Sequence, residues 1–186
     1  GSRIARMDRD TTQGRGSHKR ILIGLARGDV DILVGTQMIA KGHDFPGVTL
    51  VGVLLADMSL NIPDFRAAER TFQLLTQVSG RAGRGEVPGR VIIQTYNPDH
   101  YSILAARSYN FEEFYRQELS RRKALGYPPA GHLILLKFEG NDPEKVEAVS
   151  RRIAKRACQL AHQGKVQVLG PAPAPLARLK GKYRWN

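Results

Sequence analysis

The stretch that decides the fold of this sequence is Gln77-Val78-Ser79-Gly80-Arg81-Ala82-Gly83-Arg84. It places two arginines three positions apart, among glycines, at the end of a helical pattern. A guanidinium is planar, stays charged and can donate to two oxygens at once, so this arrangement suits contact with a phosphate. Glycines remove side-chain bulk where the backbone must turn or approach a partner closely. The alternative is a glycine-rich helix end with two solvated arginines, because arginine is common near helix C-termini.

A second informative stretch lies upstream, Val34-Gly35-Thr36-Gln37-Met38-Ile39-Ala40-Lys41-Gly42-His43-Asp44. The apolar run that enters it, residues 31–35, predicts a buried strand that ends just before Thr36 and Gln37. Ligands of open parallel sheets collect beyond the strand C-termini, so this hydroxyl and carboxamide are well placed for binding. A simple strand-end cap is the alternative for Thr36. The loop from Lys41 to Asp44 then supplies a cation, a glycine and two polar side chains.

Hydrophobic periodicity predicts alternating strands and helices through the first hundred residues. The predicted strands lie at residues 3–7, 31–35, 48–56 and 91–95, and the predicted helices begin at residues 17, 64 and 97. We expect the apolar run 48–56 to be covered on both faces. We expect Asp64 to cap the helix that leads to the arginines, and Gln77 to share a stripe with them. The predicted core face of that helix comprises Ala68, Phe72, Leu75 and Val78.

The clearest break in the pattern is Gly126-Tyr127-Pro128-Pro129, which predicts a domain boundary. Ahead of it, a helix over residues 111–125 carries acids first and bases last. This order complements the helix dipole and predicts a solvated charged face rather than a DNA contact. After the break we expect a strand at 132–138, a helix from Asp142 to about His162 with a proline in its first turn, and a strand at 166–169. Such a βαβ unit predicts a small α/β domain.

The C-terminal tail, from Arg178 to Trp185, interleaves cations with two aromatic rings. This mixture suits phosphate contacts combined with base stacking. The candidate DNA-contacting residues of the tail are Lys180, Lys182, Tyr183, Arg184 and Trp185. For the two rings we favour the alternative that they begin an edge strand, and for the cations we favour the DNA contact.

Composition bounds the class of protein. Lysine and arginine total 29 against 17 acidic residues, and the net charge of +12 raises affinity for polyanions without by itself showing binding. The single cysteine, Cys158, excludes a disulfide framework and a cysteine-rich zinc site, and its helical context predicts a buried or half-buried side chain. No apolar run reaches membrane-spanning length and no signal peptide is visible, which predicts a cytoplasmic protein without a membrane partner.

Several of these stretches resemble one family of helicases. The stretch from Gln77 to Arg84 resembles motif VI of the superfamily 2 helicases, and that from Thr36 to Asp44 resembles their motif V, in the same order. Four blocks together resemble the primosomal protein N′ family of bacterial replication-restart helicases and span nearly the whole chain. The blocks are Arg6-Met7-Asp8-Arg9-Asp10-Thr11-Thr12, Gly35 to His43, Asp64-Phe65-Arg66-x-x-Glu69-Arg70 and Gly181-Lys182-Tyr183-Arg184-Trp185.

The resemblance implies an α/β fold with two parts. These are a second RecA-like helicase lobe, with a parallel sheet and flanking helices, and part of a small α/β C-terminal domain. It implies a lobe at residues 1–100, a helical connector at 101–126 and the partial C-terminal domain at 127–186. The sequence has no Gly-Lys-Thr/Ser phosphate loop, which belongs to the first lobe, and it lacks the paired zinc-binding cysteines of the family. We therefore expect a fragment that is inactive alone.

The resemblance also implies the activity and partners of the intact protein. This would be an ATP-dependent 3′ to 5′ DNA helicase that restarts replication at stalled or repaired forks and helps to load the replicative helicase. ATP and Mg²⁺ would be held mainly by the first lobe, and zinc by an insert outside this chain. The implied partners are single-stranded and forked DNA, primosome proteins and single-strand-binding protein, in the bacterial cytoplasm with the nucleoid. Alternatives are a lobe of another superfamily 2 repair or recombination helicase, or a non-catalytic basic DNA-binding or primosome-scaffolding module centred on residues 127–186.

By the same resemblance, individual residues acquire roles. Arg81 and Arg84 would act as arginine fingers on the outer phosphates of ATP, and Gln77 would contact the phosphates or the attacking water. The implied nucleotide-binding residues are Gly42, Asp44 and Gly80. The implied contacts to the DNA backbone, besides the tail, are Thr36, Gln37 and Lys41.

Overall fold

The chain forms two compact units, Gly1–Gly126 and Tyr127–Asn186, each described by itself below. The computed structural model describes residues 1–8, 17–36, 47–80, 88–161 and 166–186. Among the helices in these ranges, none has the length and apolar character needed to cross a membrane. The predicted division into 1–100, 101–126 and 127–186 stays a prediction.

Parallel strand pairs organise the first unit. Strand β1 (Ile4–Met7) pairs in parallel with β2 (Ile32–Gly35), and helix α1 (Ser17–Ala26) lies between them in the chain. Strand β3 (Leu50–Val53) pairs in parallel with β4 (Arg90–Ile93). Parallel strands joined through helices confirm the predicted α/β class. Within the described residues the two pairs are separate two-stranded sheets.

The helices that follow β3 and β4 supply the core of this unit. They are α2 (Asp57–Leu60), α3 (Ala67–Ser79), α4 (Tyr101–Arg107) and α5 (Phe111–Ala124). The residues of the main buried cluster are Ala56, Phe72, Leu75, Ile103, Ala105, Ala106 and Phe114. Helices α4 and α5 therefore share one core with α3 and with the end of β3.

The predicted core face of α3 is confirmed only in part. Phe72 and Leu75 are buried, at 5% and 1% exposure, but Ala68 and Val78 are only half-buried. Ala67 and Thr71 are buried as well, and the Thr71 hydroxyl donates to the Ala67 carbonyl at 2.9 Å, which satisfies its polar group inside the helix.

The prediction that Asp64 is the N-cap of α3 is wrong. The helix begins at Ala67 after Arg66, which makes no side-chain cap. The Asp64 carboxylate instead accepts the Arg66 N–H at 2.9 Å and pairs with Arg70 at 2.9 Å, so it stabilises the turn before the helix. The hydrogen bond from the Arg66 N–H, opposed by desolvation and supported by the charge of Arg70, lowers the pKa of Asp64.

The expectation that residues 48–56 are covered on both faces is also wrong in this structure. Leu50 is 57% exposed and Leu54 is 78% exposed, whereas Val51 and Val53 are half-buried. The strand therefore buries one face only, as the alternation of its side chains permits.

The second unit is a three-stranded antiparallel sheet with one helix. Strands β5 (Phe138–Gly140), β6 (Pro173–Leu179) and β7 (Lys182–Trp185) are ordered β5-β7-β6, and α6 (Pro143–Leu160) packs on β5 and β7. Helix α6 begins as predicted, because the Asp142 carboxylate accepts the N–H groups of Glu144 and Lys145.

Three sequence predictions for this unit are wrong. Residues 132–137 and 166–169 are not strands, because they pair with no other strand of the described chain. The strands that do form are antiparallel, so the unit is not βαβ. Cys158 is exposed, because the buried face of α6 is defined by Val146 and Ser150.

Candidate nucleotide-facing and DNA-facing sites

Helix α3 carries the chain to the arginines of the opening stretch. Its inner face is fixed in the core by Phe72 and Leu75, while Gln77 lies exposed on another face, as predicted. The helix ends at Gly80, whose N–H donates to the Thr76 carbonyl at 3.1 Å. Gln77 and Gly80 are thus both exposed at the C-terminal end of α3. Arg81 and Arg84, the other predicted catalytic residues, lie outside the described residues.

Gly80 is not required by the local backbone. Its φ is −72°, which any residue adopts. Among the described residues, a Cβ at this position would meet the carbonyl oxygens of Thr76 and Gln77, at 3.5 and 3.7 Å, which are ordinary contacts. The described surroundings therefore leave space at this position for a side chain or for the close approach of a partner.

The carboxyl ends of β1 and β2 form one edge of the first sheet. Because Met7 pairs with Gly35 in parallel register, the next residues, Asp8 and Thr36, follow at the same edge. Asp8 is 8% exposed and pairs with Arg6, whereas Thr36 is exposed. The predicted residues Gln37, Lys41, Gly42 and Asp44 lie outside the described residues.

The carboxyl ends of β3 and β4 are joined by Asp57. Its carboxylate accepts the Thr95 hydroxyl and the Tyr96 N–H, each at 2.9 Å. The Tyr96 N–H, opposed by desolvation and supported by the Thr95 hydroxyl, lowers the pKa of Asp57. This strand-end acid therefore has a structural role at the edge where a ligand of this fold class would lie.

A cluster of charged and aromatic side chains, missed by sequence reasoning, links three helices. We call Phe65, Glu69, Tyr101, Glu118 and Arg122 the Arg122 cluster. Arg122 donates to Glu69 and to Glu118, both at 2.7 Å, and Glu118 accepts the Tyr101 hydroxyl. The Arg122 guanidinium also lies 5.0 Å from the centroid of the Phe65 ring.

The Arg122 cluster corrects only in part the prediction that the charges of α5 form a solvated face. The charges that are exposed, as predicted, are Glu112, Arg116, Arg121 and Lys123. The Arg122 and Glu118 side chains are only 14% and 10% exposed. Desolvation opposes the charge of Arg122, but hydrogen bonds to Glu69 and Glu118 outweigh it and raise its pKa. Burial, and next the hydrogen bond to Glu118, raise the pKa of Tyr101. Spacing along the sequence of α5 predicts pairs within that helix, such as Glu118 with Arg122, but it cannot predict a partner on another helix, such as Glu69 on α3.

The tail of the chain forms a hairpin with a cationic tip. Strands β6 and β7 are joined by Lys180 and Gly181, with φ values of +50° and +80°. Two successive positive φ values are typical of the tight turn that matches the twist of a two-stranded hairpin. Lys180 lies in this turn and Lys182 follows it, and both side chains are exposed, as a contact to a polyanion requires.

The other tail residues have partners inside the second unit. Arg184 pairs with Glu139 at 2.8 Å and is 17% exposed. Arg178 lies 5.2 Å from the centroid of the Tyr183 ring. Arg184 and Tyr183 lie on β7, and their partners lie on the two strands beside it. Strand β7 is the central strand of the sheet.

Trp185, the last of the predicted stacking residues, is half-buried. The Arg151 guanidinium of α6 lies 5.7 Å from the centroid of its ring. Its ring therefore helps to hold α6 on the sheet. The alternative favoured for the two rings is right that they lie in a strand but wrong that it is an edge strand, because β7 pairs with both β5 and β6.

Most of the chain is similar to domains and proteins that are already known. A model of the helicase conserved C-terminal domain matches residues 1–86, and a model of the primosomal protein N C-terminal domain matches residues 123–186. The replication restart protein PriA of Bacillus subtilis is 50% identical over 188 residues, covering 100% of this chain and 23% of the relative. That of Synechocystis sp. is 51% identical over 184 residues, covering 99% of this chain and 22% of the relative.

The chain belongs to the replication restart protein PriA family. This confirms the family inferred from the motifs. The chain spans about a quarter of the length of these PriA relatives.

Both candidate sites lie within the regions that the two domain models match. Gln77 to Arg84 falls in the helicase domain, and the hairpin tip falls in the C-terminal domain. The Arg122 cluster is different, because Tyr101, Glu118 and Arg122 lie between the two matched regions while Glu69 lies inside the first. The roles of the individual residues stay predictions.

Proposed function

We propose that this chain supplies the second motor lobe of an ATP-dependent 3′ to 5′ DNA helicase that acts in replication restart at stalled or repaired forks. In this proposal the chain has no activity alone. The observation that carries it is the match of nearly the whole chain to PriA relatives, with the motif VI stretch at the end of α3. The proposed place of action is the bacterial cytoplasm, with the nucleoid.

The motif VI stretch, which begins in α3, carries side chains suited to a triphosphate. An exposed carboxamide at Gln77 and two guanidiniums at Arg81 and Arg84 are donors of the kind that phosphate oxygens accept. Gly80 leaves room for a partner to approach the backbone there. ATP bound between two lobes, with Mg²⁺ held mainly by the first lobe, would supply the phosphoryl group that is transferred to water.

In the proposed mechanism the guanidiniums stabilise the charge that develops on the transferred phosphoryl group. Such an arginine contributes roughly 10³–10⁵ to kcat in other phosphoryl-transfer enzymes. Gln77 orients the phosphates or the attacking water, and Gly42 and Asp44 contact the nucleotide. The arginines engage only when the lobes close, so nucleotide state becomes lobe motion.

DNA contact is proposed at two places. Thr36, Gln37 and Lys41 follow β2 and would contact the backbone of single-stranded DNA. At the hairpin, the exposed Lys180 and Lys182 are the proposed phosphate contacts, because Arg184, Tyr183 and Trp185 are engaged within the second unit. Backbone contacts predict sequence-tolerant, salt-dependent binding. Primosome proteins and single-strand-binding protein are the proposed protein partners.

The test is an unwinding assay with the intact protein on partial duplexes that carry either a 3′ or a 5′ single-stranded tail. The proposal predicts ATP-dependent unwinding of the duplex that carries the 3′ tail, because 3′ to 5′ movement along that tail leads into the duplex. This unwinding should be lost in Arg81→Ala and in Arg84→Ala. The matched control is Arg107→Ala, the last residue of α4. Unwinding by Arg84→Ala at the rate of the wild type would contradict the motor function and favour a DNA-binding or scaffolding role.

A further inference from the structure

The position of α3 in the first unit is set at two points. The first is aromatic: the Phe72 ring stacks on the Phe114 ring of α5, with centroids 4.2 Å apart and planes 5° from parallel. The second is the Arg122 cluster one turn earlier, where Glu69 of α3 accepts from Arg122 of α5 at 2.7 Å. Both points lie in the N-terminal half of α3, and both partners lie on α5.

The charged point is more directional than the aromatic one. Stacked rings can slide, whereas a guanidinium held by two carboxylates has a fixed orientation. Glu118 is itself held, because it accepts the Tyr101 hydroxyl of α4. Arg122 also covers the Phe65 ring ahead of α3. Rotation or tilting of α3 therefore breaks its contact with Arg122, whose orientation is fixed by α5 and, through Glu118 and Tyr101, by α4.

The distance from this cluster to the end of α3 makes the helix a lever. From Glu69 to Gly80 an α-helix rises about 16 Å, at about 1.5 Å per residue. A tilt of about 4° over that length moves the far end by about 1 Å, and a misplacement of about 1 Å can cost about a hundredfold in rate. The chain that follows this end carries Arg81 and Arg84.

We propose that Arg122, with Glu69 and Glu118, is a positioning site for the nucleotide chemistry, because it fixes the direction of α3, after which the chain continues to Arg81 and Arg84. The proposal rests on the function proposed above. None of the three residues is expected to touch ATP or DNA, so they are positioning residues. The site also gives α5 a function in the motor, although most of α5 lies outside both matched domains.

The test measures DNA-stimulated ATP hydrolysis by the intact protein. Glu69→Gln keeps the size of the side chain but removes its charge, and Arg122→Met removes the guanidinium that donates to both carboxylates. We expect kcat to fall roughly tenfold to a hundredfold in both, with the KM for ATP changed less than about twofold. Arg122→Lys keeps the charge without the planar guanidinium, and its kcat is expected to lie between those of Arg122→Met and the wild type.

The matched control is Arg116→Met on the same helix. Arg116 pairs with Glu113 at 2.5 Å, is 76% exposed and makes no described contact with α3, so kcat should equal that of the wild type. Because Glu69 is one-third exposed, Glu69→Gln is expected to fold even if Arg122→Met does not. Wild-type kcat in folded Glu69→Gln overturns the proposal, and so does a fall in kcat that Arg116→Met shares.

Arg84→Ala in the same assay separates the two proposals. If Arg84→Ala loses turnover while Glu69→Gln and Arg122→Lys keep it, the positioning role alone is wrong. If Arg84→Ala keeps the turnover of the wild type, the motor function itself is wrong, and the positioning proposal fails with it.

Discussion

Truncation of Phe72 is the sharpest test of how α3 is held in the first unit. The Phe72 ring is 5% exposed and stacks on Phe114, which is 4% exposed and whose centroid lies 5.9 Å from that of the Tyr101 ring. A buried Phe→Ala change costs about 3–5 kcal/mol, of which the ring pair contributes about 0.5–1.5 kcal/mol. We therefore expect Phe72→Ala to lower the free energy of unfolding by about 3–5 kcal/mol and Phe72→Leu by clearly less.

The assay is urea unfolding of the chain followed by far-ultraviolet circular dichroism, with hydrogen exchange of α3 and α5 to locate the loss. The matched control is Phe111→Ala, because Phe111 is 65% exposed and its ring lies 6.2 Å from the same Phe72. It should cost about 1 kcal/mol or less. The double variant Phe72→Ala with Phe114→Ala should show a coupling of at least about 0.5 kcal/mol.

The reasoning is refuted if Phe72→Ala costs no more than Phe111→Ala, or if the double variant is additive. Either result would mean that the stacked pair does not hold α3 against α5. The Glu69–Arg122 pair would then be the remaining one of the two contacts argued above to position α3.

Three further predictions follow from single sites. His100 accepts the Ser102 N–H at the start of α4. Desolvation, together with the charge of Arg121, lowers the pKa of His100. The stability of the folded state is therefore complete above the pKa of an unfolded histidine, near 6.5, and is lost as the pH falls toward the pKa of the folded state. In pH-dependent thermal unfolding, His100→Asn should keep the cap but remove that loss, and an unchanged pH profile would refute the assignment. Gly80→Ala should change the free energy of unfolding by no more than about 1 kcal/mol while lowering ATPase turnover of the intact protein, and full turnover would mean that no partner approaches Gly80. Lys180→Ala and Lys182→Ala should each reduce the salt dependence of single-stranded DNA binding by about 0.7 in the log–log slope, whereas Lys19→Ala on α1 should not.

Local rules account for the features that the sequence predicted well. The start of α6 needs only an acceptor at Asp142 and a proline after it, and both act on neighbouring backbone groups. The buried positions Phe72 and Leu75 follow from helical period alone. Family motifs then gave the fold class and the family, because they are short and contiguous.

The features that the sequence did not predict depend on partners far along the chain. The apolar run 132–137 has strand-like residues, but a strand exists only where another strand pairs with it. Arg122 looked solvated because its partner Glu69 is 53 positions away. Arg184 looked available to DNA because its partner Glu139 is 45 positions away. Periodicity within one element carries no information about such pairs.

The most direct test of the central claim is the affinity of the intact protein for ADP with aluminium fluoride, which mimics the phosphoryl group during transfer. Groups that act in the transition state should favour this complex over ADP alone. The account predicts that Arg84→Ala loses roughly a thousandfold or more of that preference while its affinity for ADP is unchanged. An Arg84→Ala protein that keeps the preference of the wild type would contradict the claim that Arg84 stabilises charge on the transferred phosphoryl group.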